Sequence, residues 1–133
     1  MGRQRLKAIL DTSVLIEDPS IEVGSQAAIS TVSLAELYFG TLVASDPAER
    51  ARRIVQLGFI EAHFDALALD DPVARILGQL QAAVTDRGAN PRSRTADLAI
   101  AATALAHEAV LFTRNYKDFK LVDDLVDVRE PPA

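Results

Sequence analysis

Short apolar runs of strand length alternate with longer segments of helical periodicity along this chain, and that alternation leaves few architectures open. Leu6 to Leu10, Gln26 to Ser30, Ala66 to Leu69 and Val110 to Phe112 read as strands, with Leu125 to Val128 as a candidate fifth. Between them, helical patterns run from about Val32 to Ala44, Pro47 to His63, Pro72 to near Gly88, and Thr95 to about Glu108. Asp46-Pro47 sets a capping carboxylate before a proline at the first helical position, and Asp71-Pro72 opens another helix. Ser33 lies three residues before Glu36, which is capping-box spacing. Leu34, Leu37, Tyr38 and Leu42 fall on one face of that helix. Asp18-Pro19, Gly24 and Asn90-Pro91 mark loops, the segment from Pro91 to Arg94 is basic and expected to be mobile, and the tail 130–133 is expected to fray. Strands alternating with helices imply an α/β fold, a parallel sheet of four to five strands flanked by helices on both faces. The length of 133 residues suits a single domain over 1–133.

Composition removes several chemistries. With no cysteine there is no disulfide, no thiolate nucleophile and no Cys-based zinc site. The two histidines, His63 and His107, lack metal-ligand spacing and read as surface or packing residues, so any metal should be a hard cation held by oxygen. The longest apolar stretch, Leu98 to Ala106, falls well short of the ~20 residues that span a bilayer. The basic start (Arg3, Arg5, Lys7) is followed by an apolar run that Asp11 interrupts, which argues against a secretory signal, and a cytoplasmic location without membrane contact is expected. The net charge of −5 is no general footprint for nucleic acid. A carboxylate cluster could supply much of it, and bound divalent cations would reverse its sign locally.

The carboxylates gain meaning from their positions. Asp11 ends the first apparent strand, where open α/β sheets place ligands. Asp97 is the one charge in a helix otherwise apolar all round, and a buried carboxylate costs several kcal/mol unless it is compensated. A helix N-terminus offers at most ~2 kcal/mol, which leaves room for a cation. Glu36 opens the helix after the second strand, and Asp118 follows the fourth strand together with Thr113 and Asn115. Each has a local alternative: an Asx-turn at Asp11, a capping bond to Ser33 at Glu36, neutralised first-turn amides at Asp97, a turn cap at Asp118. In a parallel sheet, however, all these ends lie on one edge, so the four could converge. An all-oxygen set of that kind suits Mg²⁺ or Mn²⁺, which orient water and neutralise phosphoryl oxygens.

These motifs resemble those of a known family. Asp11-Thr12-Ser13 after an apolar strand looks like the opening of a PIN domain. Ser33-Leu34-Ala35-Glu36-Leu37-Tyr38-Phe39-Gly40 resembles its second motif, and Ala96-Asp97-Leu98-Ala99-Ile100-Ala101-Ala102-Thr103-Ala104 its third. Phe112-Thr113-Arg114-Asn115 with Asp118-Phe119 resembles its fourth. The order and spacing match over nearly the whole chain, and the short form with Ser-x-x-Glu-Leu-x-x-Gly is similar to the VapC toxins of bacterial toxin–antitoxin pairs. The resemblance implies a PIN-domain-like fold and a Mg²⁺- or Mn²⁺-dependent endoribonuclease that hydrolyses RNA phosphodiesters with metal-activated water. Asp11, Glu36, Asp97 and Asp118 would form the acidic, metal-binding set. Thr12, Ser33, Thr113 and Asn115 would support it. It also implies inhibition by a VapB-type antitoxin, a toxin homodimer and a toxin–antitoxin hetero-oligomer.

Around that set, Arg92, Arg94, Arg114, Lys117 and Lys120 are candidates to hold RNA phosphates. Arg50, Arg52 and Arg53 read as a solvated helix face. The outward side of the Val32–Ala44 helix is a candidate groove for an amphipathic antitoxin segment, unless Phe39 and Leu42 belong to the core. A phosphatase with Asp11 as nucleophile fits less well, because Ser13 stands where a second aspartate is wanted. A receiver-like pocket needs a phosphoacceptor aspartate after a central strand and a lysine near it, and no clean set appears; a protein that only bound RNA would not need four convergent carboxylates, which repel phosphate without metal.

Overall fold

The computed structural model describes residues 7–20 and 26–132. Arg3, Arg5, Leu6, the Gly24 turn and Ala133 lie outside the described residues. Five strands, Lys7–Leu10 (β1), Gln26–Ser30 (β2), Ala66–Leu67 (β3), Val110–Phe112 (β4) and Val128–Arg129 (β5), pair in parallel in the order β3-β2-β1-β4-β5. The helices are Thr12–Glu17 (α1), Thr31–Leu42 (α2), Pro47–His63 (α3), Asp71–Asp86 (α4) and Thr95–Ala106 (α5). Two 3-10 helices, Pro91–Arg94 and Tyr116–Val122, lead into α5 and out of β4.

The chain lays β2 and β3 outward on one side of β1, then returns through α4 and α5 to place β4 on the other side. The strand order therefore reverses beside β1, and crevices for ligands open at such switch points. Asp11 is the first residue past that strand.

Side-chain alternation explains why these strands are apolar throughout. Ala8 and Leu10 of β1, with Val110 and Phe112 of β4, face a layer containing Val14, Leu37, Leu57 and Ile60 from α1, α2 and α3. Ile9 and Leu111 face the opposite layer, with Val73, Leu80 and Val84 of α4 and Leu98 and Ile100 of α5. A parallel strand covered on both faces has no solvent side to make polar. Each fully buried large aliphatic contributes about 1.5–3 kcal/mol, against about 0.5–1.5 kcal/mol net for a ladder hydrogen bond, so the two layers outweigh strands this short. In α5 the burial is continuous: Leu98, Ala99, Ile100, Ala101, Ala102, Thr103 and Ala104 are all enclosed. The Thr103 hydroxyl is satisfied by Ala99 O at 2.8 Å.

Several local expectations change. Ser30, not Ser33, caps α2, its hydroxyl accepting from Val32 N at 3.0 Å. Ser33 is fully buried and freed for another partner. Pro91–Arg94, expected as a mobile loop, is a 3-10 helix capped by the Asn90 side chain. Thr95 lies inside α5, its hydroxyl bonded back to Arg92 O, because that 3-10 turn runs directly into the helix. The fifth strand forms later than expected, at Val128–Arg129, and Pro131 in the tail is buried. Tyr38, Phe39 and Leu42 stand outside the core, so the face shared by Leu34, Leu37, Tyr38 and Leu42 in sequence is only partly packed.

Candidate active site

Asp11 is 5% exposed and is held by hydroxyls from two directions. Ser13 Oγ donates to Asp11 Oδ2 at 2.8 Å, and Thr113 Oγ1 donates to the same oxygen at 2.9 Å. Each hydroxyl is aimed by a backbone amide: Arg114 N donates to Ser13 Oγ and Asn115 N donates to Thr113 Oγ1, both at 3.0 Å. The backbone is tied as well, with Asp11 N donating to Phe112 O at 2.9 Å across the β1–β4 junction. Among the described residues, no donor reaches Asp11 Oδ1. The carboxylate is thus fixed through one oxygen and leaves the other available. Asp11 starts α1 without capping it through its side chain, so the Asx-type alternative gives way.

Glu36 is reached from α1. Thr12 Oγ1 donates to Glu36 Oε1 at 2.6 Å and lies 3.0 Å from Ser33 Oγ. Thr12 bridges α1 to α2, and Ser33, displaced from the cap, serves as its buried support.

Asp97 sits half-buried in the first turn of α5. Burial pushes its carboxyl up to about 6, the charges of Asp11, Asp118 and Glu36 push the same way, and the Arg94 charge opposes them. Asp11, Glu36 and Asp118, the other acidic residues picked out in the sequence, therefore each lie within electrostatic reach of Asp97. Asp118, in the first turn of the Tyr116–Val122 3-10 helix, is the residue of the fourth motif whose charge reaches Asp97. Asn115 is exposed and takes part through its amide.

Among the described residues, no group of three or more acidic or histidine side chains is placed to hold a metal ion. The donor set nevertheless fits a hard divalent cation: every available atom is carboxylate or hydroxyl oxygen, and three negative neighbours act on Asp97. Mg²⁺ is usually bound by one or two carboxylates with water completing its shell, so a closed cage is not required.

The cationic candidates divide. Arg94 faces Asp97, and its Nε is buried without a hydrogen-bond partner. Arg114 Nε lies 3.1 Å from Glu17 Oε2, an ion pair whose alignment falls short of a hydrogen bond. Arg92, Lys117 and Lys120 are exposed. His63 stacks on Phe59 at 4.0 Å between ring centroids, a packing role.

Two features were missed in sequence. Ser13 orients Asp11, and its signal was a hydroxyl two residues after the carboxylate. Arg52 and Arg53, read as a solvated face, line a cleft beside Glu36, because α3 folds back over α1 and α2.

Known proteins share this build. The family profile of the PIN domain matches residues 8–125. Ribonuclease VapC4 of Mycobacterium tuberculosis is 33% identical over 125 residues, 90% of this chain and 93% of that protein. Ribonuclease VapC5 of the same organism is 32% identical over 126 residues, 90% of each. The crystal structure of VapBC-5, a member of the VapBC family of toxin–antitoxin systems from M. tuberculosis, superposes with a TM-score of 0.79 at 32% identity, covering 96% of this chain and 98% of that one.

Proposed function

Because the chain belongs to the PIN-domain family, we propose that it is a divalent-metal-dependent endoribonuclease, the VapC-type toxin of a toxin–antitoxin pair. The observation that supports this reading is the reach of Asp11, Glu36 and Asp118, each from a separate element, to Asp97, whose carboxyl is pushed up to about 6 by burial and by those charges. Such an arrangement costs stability, and a cation repays it.

Asp11, Glu36, Asp97 and Asp118 would hold Mg²⁺ or Mn²⁺, which when bound supplies a Lewis acid and a water of lowered pKa for in-line hydrolysis. The chain's own residues do the positioning. Ser13 and Thr113 keep Asp11 in one orientation, and Thr12, backed by Ser33, keeps Glu36 turned toward α1. Asn115 aims the Thr113 hydroxyl through its amide. Arg94 and Arg114 lie beside the acidic centre and would take RNA phosphates, with Arg92 and Lys117 farther along the RNA. Products carry a 5′-phosphate and a 3′-hydroxyl.

A VapB-type antitoxin would silence the enzyme by covering the outer face of α2 and α3, where Tyr38, Phe39, Leu42, Val43, Ile54 and Val55 are exposed. A toxin homodimer within a toxin–antitoxin hetero-oligomer completes the proposal.

The test is direct. Purified chain freed of antitoxin should cut RNA to 5′-phosphate products with Mg²⁺ or Mn²⁺ and stop on chelation. Asp11→Asn should lower the rate more than ~100-fold while circular dichroism stays unchanged, since removing one group of a catalytic unit commonly costs that much. Undiminished cleavage by Asp11→Asn, or cleavage indifferent to chelator, would sink the assignment.

A further inference from the structure

Beside the acidic centre, α1, α2 and α3 line a cleft of about 160 Å³ that shares Glu36 with it. Its walls are unlike the centre. Ile16, 58% exposed, and Leu37 and Leu57 give it apolar surface, while Arg52, Arg53 and Gln56 of α3 bring polar groups inward. Each of those groups is placed by specific bonds. Gln56 Nε2 donates to Ile16 O at 3.0 Å, fixing the end of α1 and with it the Ile16 wall. Arg53 donates to Gly40 O at 2.6 Å and to Glu49 Oε1 at 2.8 Å. Arg52 donates to both oxygens of Glu49, at 3.0 and 2.5 Å.

Charge within this α3 cluster does not balance. Two guanidinium groups share the single carboxylate of Glu49, which they hold down to about 2 and so fully ionised. One positive charge is left over beside an acidic centre. Arg53 is committed to a backbone carbonyl, whereas the Arg52 side chain is 64% exposed and holds Glu49 through two bonds at the solvent edge of the cleft. Glu49 fixes the Arg52 guanidinium through Nε and Nη2, and the guanidinium's remaining N–H groups and its exposed face are what an RNA phosphate or base would use. An arginine beside apolar surface matches a nucleotide of single-stranded RNA: the guanidinium takes the phosphate or stacks on the base, and the aliphatic wall packs the base.

We propose that the α1–α2–α3 cleft is a subsite for the RNA nucleotide next to the scissile phosphate on the Glu36 side, with Arg52 binding its phosphate and Ile16 its base. This deepens the ribonuclease reading and rests on it. Strand direction through the site would then run from Arg94 at α5, past the four carboxylates, to Arg52 at α3.

The experiment uses the full chain freed of antitoxin, with a fluorescein-labelled single-stranded RNA oligonucleotide followed by anisotropy in chelator and a parallel cleavage assay in Mg²⁺. Arg52→Ala should weaken binding about tenfold and flatten the salt dependence by about 0.7 in log–log slope, the share of one phosphate contact on a single strand. Ile16→Glu, which sets a carboxylate on the exposed wall, should weaken it similarly. Arg75→Ala, on the exposed side of α4, should bind within twofold of wild type. Wild-type affinity and salt slope in Arg52→Ala, with wild-type cleavage present, would overturn the subsite while leaving the ribonuclease reading intact. A wild-type chain that neither binds nor cuts RNA would remove both. Loss of antitoxin affinity in Arg52→Ala with RNA binding unchanged would assign the cleft to a protein segment and overturn the proposal.

Discussion

A carboxyl pushed up to about 6, as at Asp97, makes the fold itself pH-sensitive. Its ordinary value is 3.8, so between that pH and about 6 the folded protein keeps a proton that the unfolded chain has released. The folded state then binds more protons, and stability of the metal-free protein falls as pH rises through this window and levels off above it. Because Asp97 is only half-buried, solvent screening reduces the effect to about 1 kcal/mol. Asp97→Asn removes the charge, and in chelator at pH 7 it should unfold at higher urea, by about 1 kcal/mol, with a flatter profile between pH 4 and 6. Urea titrations across pH measure this directly. A variant less stable than wild type at pH 7 would show that Asp97 is compensated within the protein. The same position was legible in sequence as a lone charge in an apolar helix. The hydroxyls around Asp11 were not all legible, because Thr113 reaches it from 102 residues away and only the β1–β4 pairing brings the two together.

Among the elements, α2 and α3 separate their two duties by face. Inward, α2 supplies Ser33 and Leu37 and α3 supplies Leu57 and Ile60 to the core. Outward, Phe39 and Leu42 are 67% and 73% exposed. Helical periodicity located both helices to within a few residues, but it could not say how much of each apolar face is covered. That depends on which neighbour lies alongside, and α3 covers only part of α2. The outer residues take no part in the acidic centre, so Leu42→Glu should cleave RNA within about twofold of wild type while losing tenfold or more in affinity for a cognate antitoxin by calorimetric titration. Undiminished antitoxin affinity would move the docking face elsewhere. The caps show the same limit at smaller scale. Spacing in the sequence points to Ser33 as the cap, and the strand's end overrules it by putting Ser30 at the helix start.

For the molecule as a whole, a cation that binds only the folded state adds stability by mass action, about 2.7 kcal/mol at a hundredfold excess over its Kd. For a domain this size that corresponds to a rise in Tm of about 5–10 °C. Thermal unfolding with and without Mn²⁺ should show the rise in wild type and lose it in Asp97→Asn. An equal rise in both would place the cation elsewhere.

The amino-acid sequence determined by itself the strand–helix alternation, the parallel sheet and the carboxylates at strand and helix ends, because these follow from local periodicity and capping chemistry. It also excluded thiol and zinc–cysteine chemistry outright, since the residues are absent. Only the tertiary structure decided which oxygen of Asp11 is held, which serine caps α2, and that Arg52 and Arg53 face a cleft beside Glu36. Those outcomes rest on contacts between segments far apart in the chain, and no local pattern encodes the angle at which two helices meet.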